Sequence, residues 1–573
     1  MNSLQQHGPR EAQKQLHLRM QRSGLSSVKV QVTRRGKLRF HFTGLEEEVK
    51  RVLRILNDAG YPNAVYLRDS SSAIRYTSSR NYTVKLSFTQ NRRYRFGEIA
   101  VVQEVDSARG LEYRSDITDD IILQTLEYAP GDFYSLQSRI VSERRLNKLG
   151  IFDLRSLTVA VPSVADTAIM SPSTITYLPS DRHEVAPELI VSDEDGAFNI
   201  GAGLGYIQRN FLGGGRLFSA RLRFRTQTLT SFPNYFEPNS DAISNLDFTL
   251  EVQQPYVFTN KIRGSMSLSS IVDKQLPYRQ LILRSNLGLS AQTGEWSTTY
   301  VGWALEAVDL TLNQEFDVSQ SDPETQRQVR SLQPRSFNSI LTFTTQRDKS
   351  NDLFSPSAGF IHSLTLEEAG LFPQLLSTMV NTLPFTQFYR VMLTGRWYED
   401  ISDRRFTVFA TKAKIGFEGK YGNSYSDTSR QIPQTHRFFA GGGNSVRGWN
   451  PRELIASGNP QLGGNLLLEV SVEWRVNILQ ALQDGLWDKL WLAQFIDAGN
   501  VWVDPLDFRL KEFALATGIG LRYDTFFGPF RLDWGLRIYD PSAPEGNRWI
   551  TQRKFWSETV TQSVLHFGIG HAF

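Results

Sequence analysis

The chain has 573 residues, no cysteine and a formal net charge of +4. Without cysteine it can form no disulfide and no thiolate metal site, which suits a protein that crosses an oxidising compartment. Lysine and arginine are spread along the sequence, so the charge does not predict a nucleic-acid partner. No run of about 18 apolar residues could form a transmembrane helix, whereas a transmembrane β-strand needs only about ten residues with one apolar face.

The first part of the chain, up to about residue 182, alternates between helical and strand patterns. Apolar residues recur at helical spacing from Leu45 to Leu56 and predict a helix that ends before Gly60. Residues 82–177 predict the order β-α-α-β-β, with a strand at 94–102, helices at 116–128 and 135–149, and a strand at 154–161. Units of this size are too short for a deep catalytic cleft, so small soluble interaction modules are expected.

The first 22 residues are polar and lack the apolar core of a signal peptide. If the chain reaches an outer membrane, its natural start is expected to have been trimmed or misassigned.

From about Pro187 onwards, segments of period two are separated by turns rich in Gly, Pro, Asn, Asp and Ser, and no helix is predicted. The alternation is clearest in residues 468–475, 515–524 and 530–538, where one face is apolar and the other charged or small. A soluble sandwich would have shorter segments, and aromatic residues such as Trp474 and Tyr523 lie at segment ends, as in membrane barrels. The sequence therefore predicts a mainly β fold, with an antiparallel transmembrane β-barrel of about sixteen strands after small α+β modules.

A glycine-rich segment at residues 441–449, GGGNSVRGW, places one arginine on a loop between two alternating segments. A guanidinium folded into a barrel lumen needs carboxylate partners, and Glu473 and Asp497 lie on strands whose charged residues should face inward. The sequence therefore predicts a bidentate clamp that fixes the loop. The alternative is that Arg447 is a solvated loop residue and Asp497 a turn acid. The residues assigned to this clamp are Arg447, Gly448, Trp449, Glu473, Asp497 and Gly499.

These motifs, in this order, resemble the BamA/TamA superfamily of outer-membrane assembly proteins and transporters (bacterial surface antigen family). VRGW at residues 446–449 resembles the signature of the sixth extracellular loop, with Trp where Tyr or Phe is more usual, and FIDAG at 495–499 resembles a strand signature. NFLGGG at 210–215 and the segment 347–359 are weaker matches. The resemblance implies a sixteen-stranded barrel at 183–573, a POTRA module at 82–182 and an incomplete or divergent POTRA module at 28–81, and it leaves 1–27 unassigned.

The border between the first and last barrel strands is the predicted functional site. The first strand is expected to be short, around residues 189–192 after Pro187, and the last, at 566–573, to pair weakly because it contains two glycines. The resemblance implies a lateral gate here, at which an unfolded client strand adds through main-chain hydrogen bonds. Alternatively, the glycines only relieve crowding where the barrel closes. The residues assigned to this gate are Leu189, Ile190, Val191, Gly568, Gly570 and Phe573.

Three functions stay open: an insertion factor for outer-membrane proteins, a translocation pore of the two-partner-secretion type, and a plain channel or surface antigen. POTRA modules disfavour the channel, and no plug helix or proline-rich linker precedes Val28, which favours the insertion factor. The resemblance implies unfolded outer-membrane clients, outer-membrane lipids and periplasm-spanning or lipoprotein partners, with the N-terminal modules in the periplasm. No catalytic motif is present, and no enzyme activity, cofactor, metal or nucleic acid is expected.

Overall fold

The computed structural model describes residues 27–33, 42–75, 82–104, 117–164, 166–194, 197–227, 243–275, 278–312, 323–330, 332, 334–375, 385–402, 407–427, 430–477, 489–525 and 528–572. The chain forms two compact units. The first contains the described residues up to Arg182 together with Arg209–Leu217, and the second contains His183–Gln208 and the described residues from Phe218 onwards.

The first unit is α+β. Its described elements are β1 (Ser27–Thr33), α1 (Phe42–Asp58), β2 (Val65–Tyr66), β3 (Ser72–Arg75), β4 (Tyr82–Thr89), β5 (Arg95–Gln103), α2 (Asp119–Thr125), α3 (Leu136–Leu149), β6 (Phe152–Val159) and β7 (Met170–Pro179). One sheet has β4 paired with β1, β2 and β3, and the other has the order β5-β7-β6. The order β5-α2-α3-β6-β7 is the predicted β-α-α-β-β pattern.

Local sequence explains where the helices of this unit begin and end. α1 buries Val52 and Leu56 against Leu86 and Phe88 of β4, and the helix is followed by Gly60 with φ +100°. At the start of α3 the Ser135 side chain accepts a hydrogen bond from the Ser138 amide, 3.1 Å away. α3 ends at Gly150, whose φ of +67° is the left-handed conformation that glycine adopts without strain.

The second unit is one antiparallel sheet of sixteen strands in which each strand pairs with the next along the chain, as predicted. The strands are β8 (His183–Glu194), β9 (Ala197–Arg209), β10 (Leu217–Thr226), β11 (Ser244–Gln254), β12 (Ile262–Lys274), β13 (Tyr278–Gln292), β14 (Ser297–Leu312), β15 (Arg335–Asp348), β16 (Gly359–Ala369), β17 (Phe388–Asp400), β18 (Thr407–Lys420), β19 (Leu466–Val476), β20 (Leu490–Trp502), β21 (Ala514–Thr525), β22 (Gly528–Tyr539) and β23 (Val564–Ile569). Short helices α4 (Pro323–Arg330), α5 (Leu371–Leu375) and α6 (Asn423–Ser426) lie in the connections. They were not predicted, because one or two turns are too short to leave a helical period.

The two faces of this sheet differ in chemistry, as the alternation predicted. On β19, Val470 and Trp474 are 45% and 49% exposed, whereas Glu469 and Glu473 on the other face are buried. The apolar face is therefore the outer wall of the barrel, and the charged face lines its interior. Among the described helices, none is long and apolar enough to cross a membrane.

The first and last strands differ from their predicted bounds. β8 has twelve residues, and Pro187 lies inside it, opposite Leu204 of β9, rather than before it. Proline is tolerated there because β8 is the terminal strand of the sheet, where a missing N–H breaks no ladder. β23 covers only Val564–Ile569 and is followed by Gly570 with φ +88°, and Phe573 lies outside the described residues.

Candidate functional site

The loop between β18 and β19 folds back on itself at its glycines. Gly441 and Gly442 have φ of +97° and +101°, and a Cβ at Gly441 would lie 2.4 Å from the Asn450 carbonyl oxygen. The Gly442 amide donates to the Trp449 carbonyl at 2.9 Å, which closes the turn. We call residues 441–450 the tip of the loop. Only glycine allows the backbone to approach this closely, and the turn directs Arg447 towards the barrel wall.

Arg447 contacts the inner faces of three strands and is fully buried. Its Nε and Nη2 donate to Asp497 of β20 at 2.7 and 2.9 Å, and its amide donates to the same carboxylate at 3.1 Å. Nη1 donates to Glu473 of β19 at 2.5 Å and to Asp533 of β22 at 3.4 Å. The guanidinium carbon also lies 3.5 Å from the centre of the Phe495 ring. We call these four charged residues the loop clamp: Arg447, Glu473, Asp497 and Asp533.

Further arginines share two of these carboxylates. Arg475 Nε donates to Glu473 at 2.8 Å, and Arg522 Nη2 donates to Glu473 at 3.2 Å. Arg522 also bonds Asp533, whose carboxylate lies 3.6 Å from Arg531 Nε. Asp497 differs, because its described ion pair is with Arg447. Loss of Arg447 would therefore leave the buried Asp497 carboxylate without its described ion-pair partner, with Lys412 as a nearby opposite charge.

Electrostatics keep Arg447 charged. Burial would lower the pKa of its guanidinium, but the carboxylates of Asp497 and Glu473 raise that pKa well above its ordinary value. The ion pairs form inside a buried site, so solvent and salt screen them weakly. Such a cluster can hold the tip against the wall in one position, which is a structural rather than a chemical task.

The backbone of the tip lies on a small-residue surface of the last strands. A Cβ on Gly535 of β22 would lie 1.9 Å from the Arg447 carbonyl oxygen, and a Cβ on Gly448 would lie 3.0 Å from Ala516 Cβ. The Arg447 carbonyl lies 2.9 Å from His566 Nε2 on β23, which donates to it. The tip therefore contacts the last strand directly.

The structure brings most of the predicted clamp residues together. Gly448 accepts a hydrogen bond from Arg537 Nε at 2.8 Å, and Trp449 is buried with the Arg537 guanidinium carbon 4.9 Å from its ring. Gly499 is at a different place: it lies beside Glu469, and a Cβ there would be 2.7 Å from the Leu468 carbonyl oxygen. Gly499 thus serves close strand packing rather than a contact with Arg447.

Several residues of the site were missed by sequence reasoning. Asp533 and Arg522 alternate onto the predicted inner face, but their distance from Arg447 depends on a register that local patterns do not give. Gly535 and His566 were missed for the same reason.

The border between β8 and β23, which we call the seam, differs from the other strand borders. Within the described residues the sheet begins at β8 and ends at β23, and no ladder joins the two although they lie close together. β23 pairs with β22 over only six residues, from Phe530 to Gly535. One described contact near the seam is an edge-to-face pair of Phe198 on β9 and Phe567 on β23, with ring centres 5.0 Å apart.

The predicted gate residues lie at this seam where the structure describes them. Leu189 is 81% exposed on β8, beside Ile190 and Val191, which pair with Gly201 and Ile200 of β9. Gly568 of β23 pairs with Arg531 of β22. Gly570 follows the strand, and its amide donates to the Pro529 carbonyl at 2.7 Å.

No cluster of three or more His, Asp or Glu residues in the described part of the chain is arranged to hold a metal ion.

Comparison with known proteins identifies the family. The model of the Omp85 superfamily domain matches residues 210–573, which is more than half of the chain. The chain therefore belongs to the Omp85 superfamily of outer-membrane assembly and transport proteins, as its motifs predicted. Proteins of this superfamily lie in the outer membrane, and the sixteen-stranded barrel fits that location.

Solved structures are similar at low sequence identity. The structure of BamA from Haemophilus ducreyi lacking POTRA domains 1-3 is 16% identical, with 88% of this chain and 92% of that chain covered and a TM-score of 0.54. CdiB from Acinetobacter baumannii and CdiB from Escherichia coli are 12% and 13% identical, each covering 93% of this chain and 95% of that chain, with TM-scores of 0.45 and 0.46. The BamA likeness shows a shared fold, and the two weaker likenesses add no argument.

Proposed function

We propose that this protein is an insertion factor for outer-membrane proteins: unfolded clients reach it through the α+β modules, read as periplasmic POTRA domains, and enter the membrane at the seam. The chain's partners are then unfolded barrel proteins and the lipids beside the seam. Periplasm-spanning or lipoprotein partners would bind the modules.

The observation that carries this proposal is the unpaired backbone at the seam. β8 pairs with β9 on one side over its twelve residues, and within the described residues no strand ladder forms on its other side. β23 pairs with residues 530–535 of β22, so residues 536–539 of β22 extend beyond it, and of these Tyr539 forms an isolated bridge with Trp549. An unpaired edge of this kind presents N–H and C=O groups that an extended client strand can bind without regard to its side chains.

The loop clamp supports the same function. The tip is fixed to β19, β20 and β22 by Arg447, and its carbonyl accepts a hydrogen bond from His566 of β23. The clamp thereby holds the last strand in place while the opposite edge of the seam, β8, lacks such a contact in the described residues. The edge of β8 that has no described ladder is then the place where a client strand can add.

The proposal is tested by reconstituting the protein in liposomes. An unfolded model barrel protein is added, and its acquisition of protease resistance is compared with that in empty liposomes, while single-channel conductance is recorded in parallel. Faster insertion supports the insertion factor. Insertion no faster than in empty liposomes, together with a large stable conductance, would contradict it and would favour the two-partner-secretion pore.

A further inference from the structure

The loop that carries Arg447 touches the barrel wall at a second place before its tip. We call residues 430–438 the first limb of the loop. Ile432 of this limb packs in a buried cluster with Ile340 of β15, Ala369 of β16 and Phe388 of β17. The Gln434 side chain donates to the Leu462 carbonyl at 2.8 Å. The first limb thus lies against β15–β17, whereas the clamp lies on β19, β20 and β22.

A histidine joins the first limb to two strands. His436 is 8% exposed, and its Nε2 and Nδ1 lie 3.3 Å from Glu306 Oε1 of β14 and 3.3 Å from Glu367 Oε2 of β16. The neighbouring Thr435 hydroxyl donates to Glu306 at 3.2 Å. A neutral imidazole carries one N–H, so it can donate to only one of the two carboxylates. Both contacts are hydrogen bonds only when the ring is protonated.

The charged residues described around His436 lie on β13, β14, β16, β17 and β18 and on the loop itself. The group comprises Glu306 of β14, Glu367 of β16, Glu418 of β18, Arg284 of β13, Arg390 of β17 and Arg437 of the loop itself. The Phe388 ring lies 5.2 Å from the imidazole. Arg284 pairs with Glu306, and Arg390 pairs with Glu367 at 3.3 Å. Glu306 and Glu367 therefore each keep an arginine partner when the imidazole is neutral, so loss of the imidazole proton leaves neither carboxylate of the barrel wall unpaired.

The protonation state of His436 is set by two opposing effects. Burial lowers the pKa of the imidazole, but the carboxylates of Glu306 and Glu367 together raise it to about 9. Because docking raises this pKa, protonation of His436 stabilises the docked limb. The stabilisation is complete at pH values below the ordinary pKa of histidine, about 6.5. That stabilisation is lost as the pH rises through about 9.

We propose that His436 is a positioning residue whose imidazolium fastens the first limb to β14 and β16, and that loss of its proton releases this limb while the clamp keeps the tip docked. The clamp does not respond in the same pH range because a guanidinium stays protonated. The clamp therefore stays charged in this pH range, whereas the contact that His436 makes with β14 and β16 titrates. The inference rests on the proposed function only for its consequence, which is that client insertion depends on the position of the first limb.

The test measures the two parts of the loop separately. Since the chain has no cysteine, Arg430→Cys and Asn450→Cys each provide a single site for a nitroxide label, one on the first limb and one on the tip. The spectra are recorded in liposomes from pH 6 to pH 10. The mobile fraction at position 430 is expected to rise with a midpoint near pH 9, while position 450 stays immobile. In His436→Gln, position 430 is expected to be mobile at every pH.

His362→Gln is the matched control, because this histidine lies on β16 but contacts Phe360 and Trp397 instead of the loop. It should reproduce the wild-type titration. A label at position 430 that stays immobile up to pH 10, or one that is equally immobile in His436→Gln at pH 6, would overturn the proposal. So would a tip that becomes mobile together with the limb. Client insertion is measured on the same samples. Because label mobility does not depend on insertion, failure of this proposal can be distinguished from failure of the proposed function.

Discussion

Replacing Arg447 by alanine perturbs the site at the point where the structure concentrates its charge. The substitution removes the described ion-pair partner of Asp497 and one of three arginines bound to Glu473. Glu473 keeps Arg475 and Arg522, whereas Asp497 becomes a buried carboxylate that has lost its described ion pair and keeps the electrostatic attraction of Lys412. Breaking a buried pair in this way costs about 3–5 kcal/mol. Most of that cost is avoided if the tip leaves the wall and water reaches Asp497.

A free-energy change of this size shifts the ratio of docked to undocked loop by about 10²- to 4 × 10³-fold. The strand ladders do not depend on Arg447, so the barrel should stay folded. Two measurements follow: chymotrypsin digestion, which can cut after Phe438, Phe439 and Trp449 once the loop is released, and heat-dependent gel migration, which reports the folded barrel. Client insertion in liposomes should slow together with the increase in loop cleavage.

Three further variants test whether loss of the ion pair between Arg447 and Asp497 is what releases the loop. Arg447→Lys keeps the charge but loses the two-point bond to Asp497 and should give an intermediate result. Asp497→Asn in the Arg447→Ala background should restore part of the protease resistance, because the unpaired charge is gone. Arg430→Ala removes an ion pair whose two side chains are about one-third exposed and should leave the loop unchanged. Unaltered cleavage and insertion rates in Arg447→Ala would refute the reasoning.

The remaining predictions concern close packing and helix capping. Gly535→Ala places a methyl group where the Arg447 carbonyl lies, so it should release the tip as Arg447→Ala does, whereas Gly294→Ala, whose Cβ would be 3.5 Å from Ser297, should not; chymotrypsin cleavage distinguishes them. Asp58→Ala removes the acceptor of the Gln137 amide at 2.7 Å and should weaken the start of α3 by about 1 kcal/mol, seen as faster hydrogen exchange there. Equal exchange in Asp58→Ala and the wild type would contradict that role.

The barrel was predictable from the sequence because its signal is local. Alternation on β19, β21 and β22 assigns each residue to a face from its neighbours alone, and the same alternation placed Glu473 and Asp497 on the inner side. The glycines before Arg447 likewise indicate a turn without any knowledge of distant residues.

Other features depend on contacts between distant parts of the chain and were not predictable in this way. The pairing of His436 with Glu306 and Glu367 joins residues 130 and 69 positions apart, and no local pattern relates them. Pro187 was interpreted as a strand boundary, because proline breaks a central ladder, but its position at the end of the sheet removes that restriction. The sequence indicates which residues face inward, and the sheet register decides which of them meet.

The central claim is that clients enter the membrane at the seam, and a reversible seam crosslink tests it most directly. Phe198→Cys and Phe567→Cys, whose rings are 5.0 Å apart, are joined by a short reducible bis-maleimide, and insertion of a model barrel protein is measured before and after cleavage of the linker. The control joins Ile519→Cys to Trp534→Cys, which are register partners on the paired strands β21 and β22. We expect the seam crosslink to stop accelerated insertion, cleavage to restore it and the control crosslink to have no effect. Undiminished insertion by a fully crosslinked seam would contradict the account.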